Sequence, residues 1–305
     1  MKHLKTLLDW KPAETEAVLE TARELKKSWK SGTRQPHLAG HVITMLFEKP
    51  SLRTRNSFET AMIHLGGSGI FLTTQEAGLK GRESLADVAR VVSSYSDFVA
   101  IRTFSQQFID DFSEWSSCPV INALSDSYHP CQALTDIFTM SELFDDYRER
   151  RLVYIGDGNN VVASLAIITA QLGMPITICT PPGYELDSAL VAKLQKDYPT
   201  WSVMLTNDVA AAVADADVVY TDVWASMGQE AEEQKRKKIF EPYQINEKLM
   251  AQAPAQCHFL HCLPAHRGDE VTDGVMDGAR SAAFLQAENR MHLAKGLLHW
   301  LKQQG

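Results

Sequence analysis

The chain has 305 residues, of which 45% are hydrophobic and 22% charged, with a formal net charge of −8 at pH 7. That length supports two core-bearing domains, and the composition excludes disorder as the main state. The acidic balance argues against a nucleic-acid partner or an acidic membrane surface, although an anionic small molecule can still be held by a few focused arginines. Cys118, Cys131, Cys179, Cys257 and Cys262 form no CxxC pair, which speaks against a disulfide framework or structural zinc and fits a reducing, cytoplasmic setting. No apolar stretch approaches transmembrane length, and Met1-Lys2-His3-Leu4 leads into charged residues rather than a signal-type core, so the mature chain is expected to begin near Met1.

An opening helix carries the apolar stripe Val18, Ala22, Leu25 and Trp29. Strands are expected over 42–47, 70–72, 98–101 and 120–121, with helices bearing Phe58/Met62/Leu65 and Leu85/Val88/Val92 between them. This alternation predicts a mainly parallel sheet with helices on both faces. A bridging helix follows His129, with Ala133, Ile137, Met140 and Leu143 on one face, and the acidic-basic run 145–151 marks a boundary. A second α/β unit then offers strands over 152–155, 176–179, 203–205, 218–220 and 259–260, and helices over 161–172 and 209–214. The last helix carries Leu293, Leu297, Leu298 and Leu301 and is expected to pack back on the first domain. The expected fold is α/β with two doubly wound parallel-sheet domains, one over 1–136 completed by 288–305 and one over 137–287. Its ligand site is expected in the cleft between them, at the carboxyl ends of the strands.

The run Phe47-Glu48-Lys49-Pro50-Ser51-Leu52-Arg53-Thr54-Arg55 joins a strand to a helix. Free backbone N–H groups and the positive end of the helix dipole converge there, Ser51 and Thr54 add hydroxyls, and Arg53 and Arg55 add planar forks. Arginine suits the last helical turn, so two in the first turn point to an anionic ligand rather than to a solvated face. Arg102 ends a strand, where a surface arginine is the ordinary alternative. His129-Pro130-Cys131-Gln132 stands at a helix start, where histidine could simply cap and Cys131 could pack. Gly156-Asp157-Gly158-Asn159-Asn160 is a poor dinucleotide fingerprint, because Val161 occupies the third glycine position. Its two asparagines suit an amino acid's carboxylate and amine. Asp222 follows a strand and precedes Ser226-Met227-Gly228, and His261-Cys262-Leu263-Pro264 closes another strand. On local grounds alone, Asp222 would be a turn cap and Cys262 a packing residue.

Taken in order, Ser51-x-Arg53-Thr54-Arg55, His129-Pro130-x-Gln132, Asp222-x-x-x-Ser226-Met227-Gly228, His261-Cys262-Leu263-Pro264 and the Arg290 segment resemble the aspartate/ornithine carbamoyltransferase family, and its ornithine branch in particular. The aspartate branch lacks the Ser-Met-Gly signature and has proline at the Cys262 position. Leu52 stands where threonine is commoner, a position that can serve through its backbone N–H. Gly78 stands near a position that usually holds a Gln or His reaching a neighbouring subunit's phosphate; Lys80 or Arg82 could substitute.

The resemblance implies transfer of the carbamoyl group of carbamoyl phosphate to the δ-amine of L-ornithine, giving L-citrulline and phosphate, in arginine biosynthesis or urea-type metabolism, with the biosynthetic or catabolic direction left open by the sequence. It implies that Ser51, Leu52, Arg53, Thr54, Arg102, His129, Gln132, Cys262, Leu263 and Arg290 hold carbamoyl phosphate, and that Asn160, Asp222, Ser226 and Met227 hold ornithine. Arg102, His129, Asp222, Cys262 and Arg290 carry the chemistry in that reading. No metal or organic cofactor is expected, and the assembly implied is a homotrimer or a multiple of trimers. Rival readings are a carbamoyltransferase for putrescine or an N-acylornithine, a non-catalytic paralogue, and, more weakly, a nicotinamide-dependent enzyme.

Overall fold

A computed structural model describes residues 1–79, 81–225 and 232–304. It forms two compact units, Met1–Phe138 with Glu288–Gly305, and Thr139–Ala287.

The first unit opens with helix α1 (Pro12–Lys30), then alternates β1 (Val42–Phe47), α2 (Leu52–His64), β2 (Ser68–Thr73), α3 (Leu85–Tyr95), β3 (Phe98–Arg102), α4 (Gln106–Trp115) and β4 (Val120–Leu124). The strands are parallel in the order β2-β1-β3-β4. Five of the six β1 residues are buried, as expected of a central parallel strand covered on both faces, and this is why its sequence is a near-continuous apolar run, broken only by Thr44, rather than an alternation. Leu46, Val88, Val99, Ile101, Ile109, Phe112 and Val120 form a core cluster beneath it. Helix α4, unannounced by the apolar runs, is capped by Ser105, whose hydroxyl accepts from the Phe108 N–H.

Helix α5 (Pro130–Leu143) leads out of this unit, and the second unit continues with β5 (Leu152–Ile155), α6 (Asn160–Leu172), β6 (Ile176–Cys179), α7 (Ser188–Asp197), β7 (Val203–Thr206), α8 (Val209–Val213), β8 (Val218–Thr221), α9 (Glu233–Phe240), α10 (Glu247–Met250), β9 (His258–His261) and α11 (Asp273–Met276). Its parallel sheet has the order β7-β6-β5-β8-β9. Helix α6 is buried at every position from Val161 to Leu172, so its sequence is apolar all round instead of striped.

The final helix α12 spans Ala283–Gln303 and begins well before the leucine stripe that starts at Leu293. Phe284 is exposed, so the first turn lacks the apolar stripe that would have announced it. From Glu288 onward α12 belongs to the first unit, where it lies against α1. A β carbon added at Gly296 would stand 2.6 Å from the Ala22 Cβ and 2.7 Å from its backbone N and Cα. Gly296→Val is expected to push the two helices apart and cost about 1–3 kcal/mol. An unchanged thermal unfolding midpoint would contradict this close packing.

Each sheet contains a point where the chain reverses direction across it. In the first, the connections leaving β1 and β3 diverge, with Phe47 paired beside Arg102. In the second, the loops after β5 and β8 diverge, with Tyr154 beside Tyr220. Ligands of open α/β sheets bind at such points, outside the carboxyl ends of the strands. Among the described residues, no helix is long and apolar enough to cross a membrane.

Candidate functional site

In the first unit, β1 runs through Glu48-Lys49-Pro50 into α2, whose N-cap is Ser51; the Ser51 hydroxyl accepts from the Thr54 N–H at 3.2 Å. That fixes the first turn, so the backbone N–H groups around Leu52 and Arg53 lie at the positive end of the helix. The Leu52 side chain is exposed, leaving only its backbone to serve a ligand. Arg55 departs from the expected second fork. Its guanidinium pairs with Glu59 at 2.9 Å and lies 4.0 Å over the Phe71 ring.

Glu48 ties this loop to the end of β3. Its backbone N–H donates to the Arg102 carbonyl at 2.7 Å, and its carboxylate accepts from the Thr103 hydroxyl at 2.7 Å and the Phe104 N–H at 3.0 Å. The loop bearing Ser51 and the strand end bearing Arg102 are thereby locked together.

His129 is buried immediately before α5, and its carbonyl accepts from the Gln132 N–H at 3.0 Å. Gln132 donates to Asp136 at 2.7 Å through its amide nitrogen and accepts from Arg290 through its amide oxygen. The second Arg290 nitrogen lies 3.4 Å from the Thr54 hydroxyl. Thr54, Gln132 and Arg290 thus meet from α2, α5 and α12. Burial, then the Arg290 and Arg102 charges, pushes the His129 imidazole well below its ordinary 6.5. At neutral pH it is an uncharged ring that donates one hydrogen bond. Cys131 donates to the Asn122 carbonyl at 3.4 Å, and burial raises its thiol to about 12, so it packs rather than reacts.

In the second unit, Asn159 caps α6: its side-chain oxygen accepts from the Val161 and Val162 N–H groups, and its side-chain nitrogen donates to the Asp222 carboxylate at 2.8 Å. Asn160 is the first residue of the helix. Asp222 follows β8 and is buried; its other oxygen accepts from the Val223 N–H at 2.8 Å and from the Cys262 thiol at 2.8 Å. Asp222 and Cys262 therefore present one acidic face, oriented by Asn159, which the sequence offered as a substrate contact and which here bonds the Asp222 carboxylate. Cys262 and Leu263, expected among the carbamoyl-phosphate contacts, lie in this second unit.

The turn after β9 is held from behind. Leu263 has a φ of 55°, a left-handed conformation that leucine rarely adopts. The Leu263 N–H donates to His261 Nδ1 at 2.9 Å, so the other imidazole nitrogen carries the proton, and it faces Glu270 Oε1 at 3.0 Å. His261 and Glu270 are fully buried, and the same Glu270 oxygen accepts from the His266 N–H at 2.5 Å. Glu270→Ala leaves the His261 and His266 N–H groups without that acceptor and is expected to lower stability by about 2–4 kcal/mol. Urea denaturation checks this, and a loss under ~0.5 kcal/mol would contradict the arrangement.

Behind the glycine-rich loop, buried Arg236 donates to Asp157 and to the Trp224 carbonyl, both at 2.9 Å, anchoring the turn after β5 to α9. Donor atoms of Asp222, His261 and Cys262 lie within 4.8 Å of one another, close enough to share a metal ion. Both His261 nitrogens are occupied by Leu263 and Glu270, however, so a cation there would displace one of those contacts. Ser226 and Met227 lie outside the described residues, as does Lys80. Arg82 is exposed and 3.2 Å from Glu83.

Residues 2–142 match the family described as aspartate/ornithine carbamoyltransferase, carbamoyl-P binding domain, and residues 148–301 match its Asp/Orn binding domain. An ornithine carbamoyltransferase from Anoxybacillus flavithermus is 47% identical over 299 residues, covering 97% of this chain and 95% of that protein. The solved ornithine carbamoyltransferase from Pyrococcus furiosus superposes with a TM-score of 0.94 at 45% identity, covering 97% of this chain and 96% of that one. The anabolic enzyme from Campylobacter jejuni superposes at 0.93 with 37% identity and complete coverage of both chains. The chain belongs to the aspartate/ornithine carbamoyltransferase family.

Proposed function

We infer that the protein transfers the carbamoyl group of carbamoyl phosphate to the δ-amine of L-ornithine, yielding L-citrulline and phosphate. The observation that carries the ornithine reading is the Asp222 carboxylate bonded to both Asn159 and Cys262, an anionic, neutral-edged surface suited to a cationic amine. Relatives named ornithine carbamoyltransferase across nearly the whole chain support it.

In this reading Ser51, Leu52, Arg53 and Thr54 bind the phosphoryl group at the N-terminus of α2, and Arg102 contacts phosphate and carbonyl oxygen together. His129, uncharged, donates to the carbonyl oxygen, and Gln132 and Arg290 complete its surroundings. Asn160, with Ser226 and Met227, takes the amino-acid end of ornithine. Asp222 and Cys262 orient the δ-amine, and the Leu263 carbonyl accepts from it. The amine attacks only after losing its ammonium proton, because the lone pair must be available. That lone pair forms the new C–N bond, the carbonyl π electrons move onto oxygen, and collapse of the tetrahedral intermediate breaks the C–O bond to phosphate, whose departing oxygen takes the second proton released from the δ-nitrogen. Each donor aimed at the developing oxyanion is worth about 3–4 kcal/mol. We further assign the protein to arginine biosynthesis in the cytoplasm as a homotrimer of the 34.0 kDa chain. Sedimentation equilibrium at one or two chain masses would refute the trimer.

The test is citrulline or carbamoylated-amine formation with L-ornithine, putrescine and N-acetylornithine compared side by side. Turnover with ornithine, abolished in Arg53→Ala, is expected. Turnover only with another amine would overturn the acceptor assignment, and none with any amine would overturn the reaction.

A further inference from the structure

A second concentration of positive charge lies in the first unit, away from the residues assigned above. A small cavity is lined by Leu25, Trp29, Arg34, His37, His64 and Lys295 among others; its inner volume of about 20 Å³ holds one water-sized atom, and its mouth is open. The Trp29 ring organises it. His64 stacks at 3.5 Å between ring centroids, the Arg34 guanidinium lies 3.1 Å from the ring centroid, and the Lys295 ammonium 4.9 Å from it.

Lys295 is only 2% exposed, and among the described residues neither it, Arg34 nor His64 enters an ion pair. His64 Nδ1 is buried with no hydrogen-bond partner. The neighbouring charges repel rather than offset: burial, then Arg34 and Lys26, lowers the Lys295 ammonium to about 8, and burial, then Lys295 and Arg34, lowers His64 to about 4. On the same helix, Glu288 is directed to His292 at 3.4 Å, while Lys26 donates to the Asn289 side-chain oxygen. One Arg34 nitrogen donates to the Trp29 carbonyl at 2.7 Å, which holds the guanidinium over the ring; buried charges are ordinarily paired, so the buried Lys295 ammonium and the unsatisfied His64 imidazole beside that guanidinium form a polar, cationic cluster with no anionic partner among the described residues.

We propose that Lys295, Arg34 and His64 form a second anion site, which seats one oxygen of a phosphoryl group inside the cavity and leaves the remaining oxygens to the Arg34 fork at the open mouth. Lysine supplies a point charge and arginine a planar fork, the combination that suits a tetrahedral oxyanion. The site is independent of the proposed reaction.

The test follows the thermal unfolding midpoint of the full-length Arg53→Ala protein, in which the α2 phosphate loop is disabled, as inorganic phosphate is added at constant ionic strength. The expected result is a rise of about 2 °C at tenfold excess over the dissociation constant, which is lost when Lys295→Met or Arg34→Met is added. Arg34 is exposed and its replacement leaves the core intact, so the test stands even if Lys295→Met fails to fold. No rise in Arg53→Ala, an equal rise with added chloride, or a rise unchanged by Arg34→Met would overturn the proposal. A parallel titration with glycerol phosphate separates the two sources: stabilisation by both assigns the site to phosphate esters, and by inorganic phosphate alone to the free ion.

Discussion

Asp222→Asn is expected to reduce kcat/KM for ornithine by roughly three orders of magnitude, matching the ~3–5 kcal/mol lost when one member of a buried charged pair is removed. The carboxylate now accepts from three groups, the Asn159 amide, the Val223 N–H and the Cys262 thiol. An amide retains one acceptor oxygen and replaces the other with a donor, so it either faces the Asn159 nitrogen donor to donor or turns its nitrogen toward Val223 and Cys262. The negative charge proposed to select the δ-ammonium of ornithine also disappears. Because the volume is unchanged, the fold is expected to survive with only a small fall in its unfolding midpoint, and KM for carbamoyl phosphate is expected to stay near the wild-type value. A variant that keeps its ornithine kinetics would contradict Asp222 as the acceptor-side residue.

Arg290→Met is expected to produce the complementary defect. Arg290 reaches Gln132 with one nitrogen and Thr54 with the other, so it draws helices α2 and α5 to the same point as α12. Methionine keeps the packing of the aliphatic stem but supplies no donor. In the proposed reaction this removes one oxyanion contact, costing ~3–4 kcal/mol or about 10²–10³ in kcat. It also leaves the Gln132 oxygen unsatisfied in a buried site. A further consequence concerns His129: Arg290 is the leading charge that disfavours its protonation. Burial, the larger cause, and the Arg102 charge remain, so the His129 pKa rises only part of the way in the variant, and the acid limb that His129 sets in the pH profile is expected to shift to higher pH. A loss confined to ornithine binding would contradict the assignment.

How much of this was readable in the sequence depends on whether a feature is local. Strands β1, β5 and β6 stood out because a parallel strand buried on both faces leaves a near-continuous apolar run, here interrupted only by Thr44 and Thr177. The segments that carry Ser51, Arg102, His129, Asp222 and Cys262 followed from the ends of such apolar runs at β1, β3, β4, β8 and β9. Helix α9 was harder to read, because its sequence Glu233 to Phe240 is dominated by charge and held by a Lys237–Glu233 pair rather than an apolar stripe. Four-residue helices such as α10 and α11 complete too little of a period to register. The supporting residues escaped for a different reason. Glu48 meets Thr103 55 positions away, and Arg236 meets Asp157 79 positions away. Such partners are set by topology, and a single sequence shows only that a charged residue is present. Arg55 is the reverse case: its place in a dense anion motif promised a ligand contact, but the i,i+4 pair with Glu59 and the Phe71 ring engage it instead.

The most direct test of the division of labour between the two units is the equilibrium binding of carbamoyl phosphate, by calorimetry without ornithine, to the wild type, Asp222→Asn and Arg290→Met. The account predicts wild-type affinity in Asp222→Asn and a loss of at least tenfold in Arg290→Met. Weakened binding in Asp222→Asn with intact binding in Arg290→Met would contradict it.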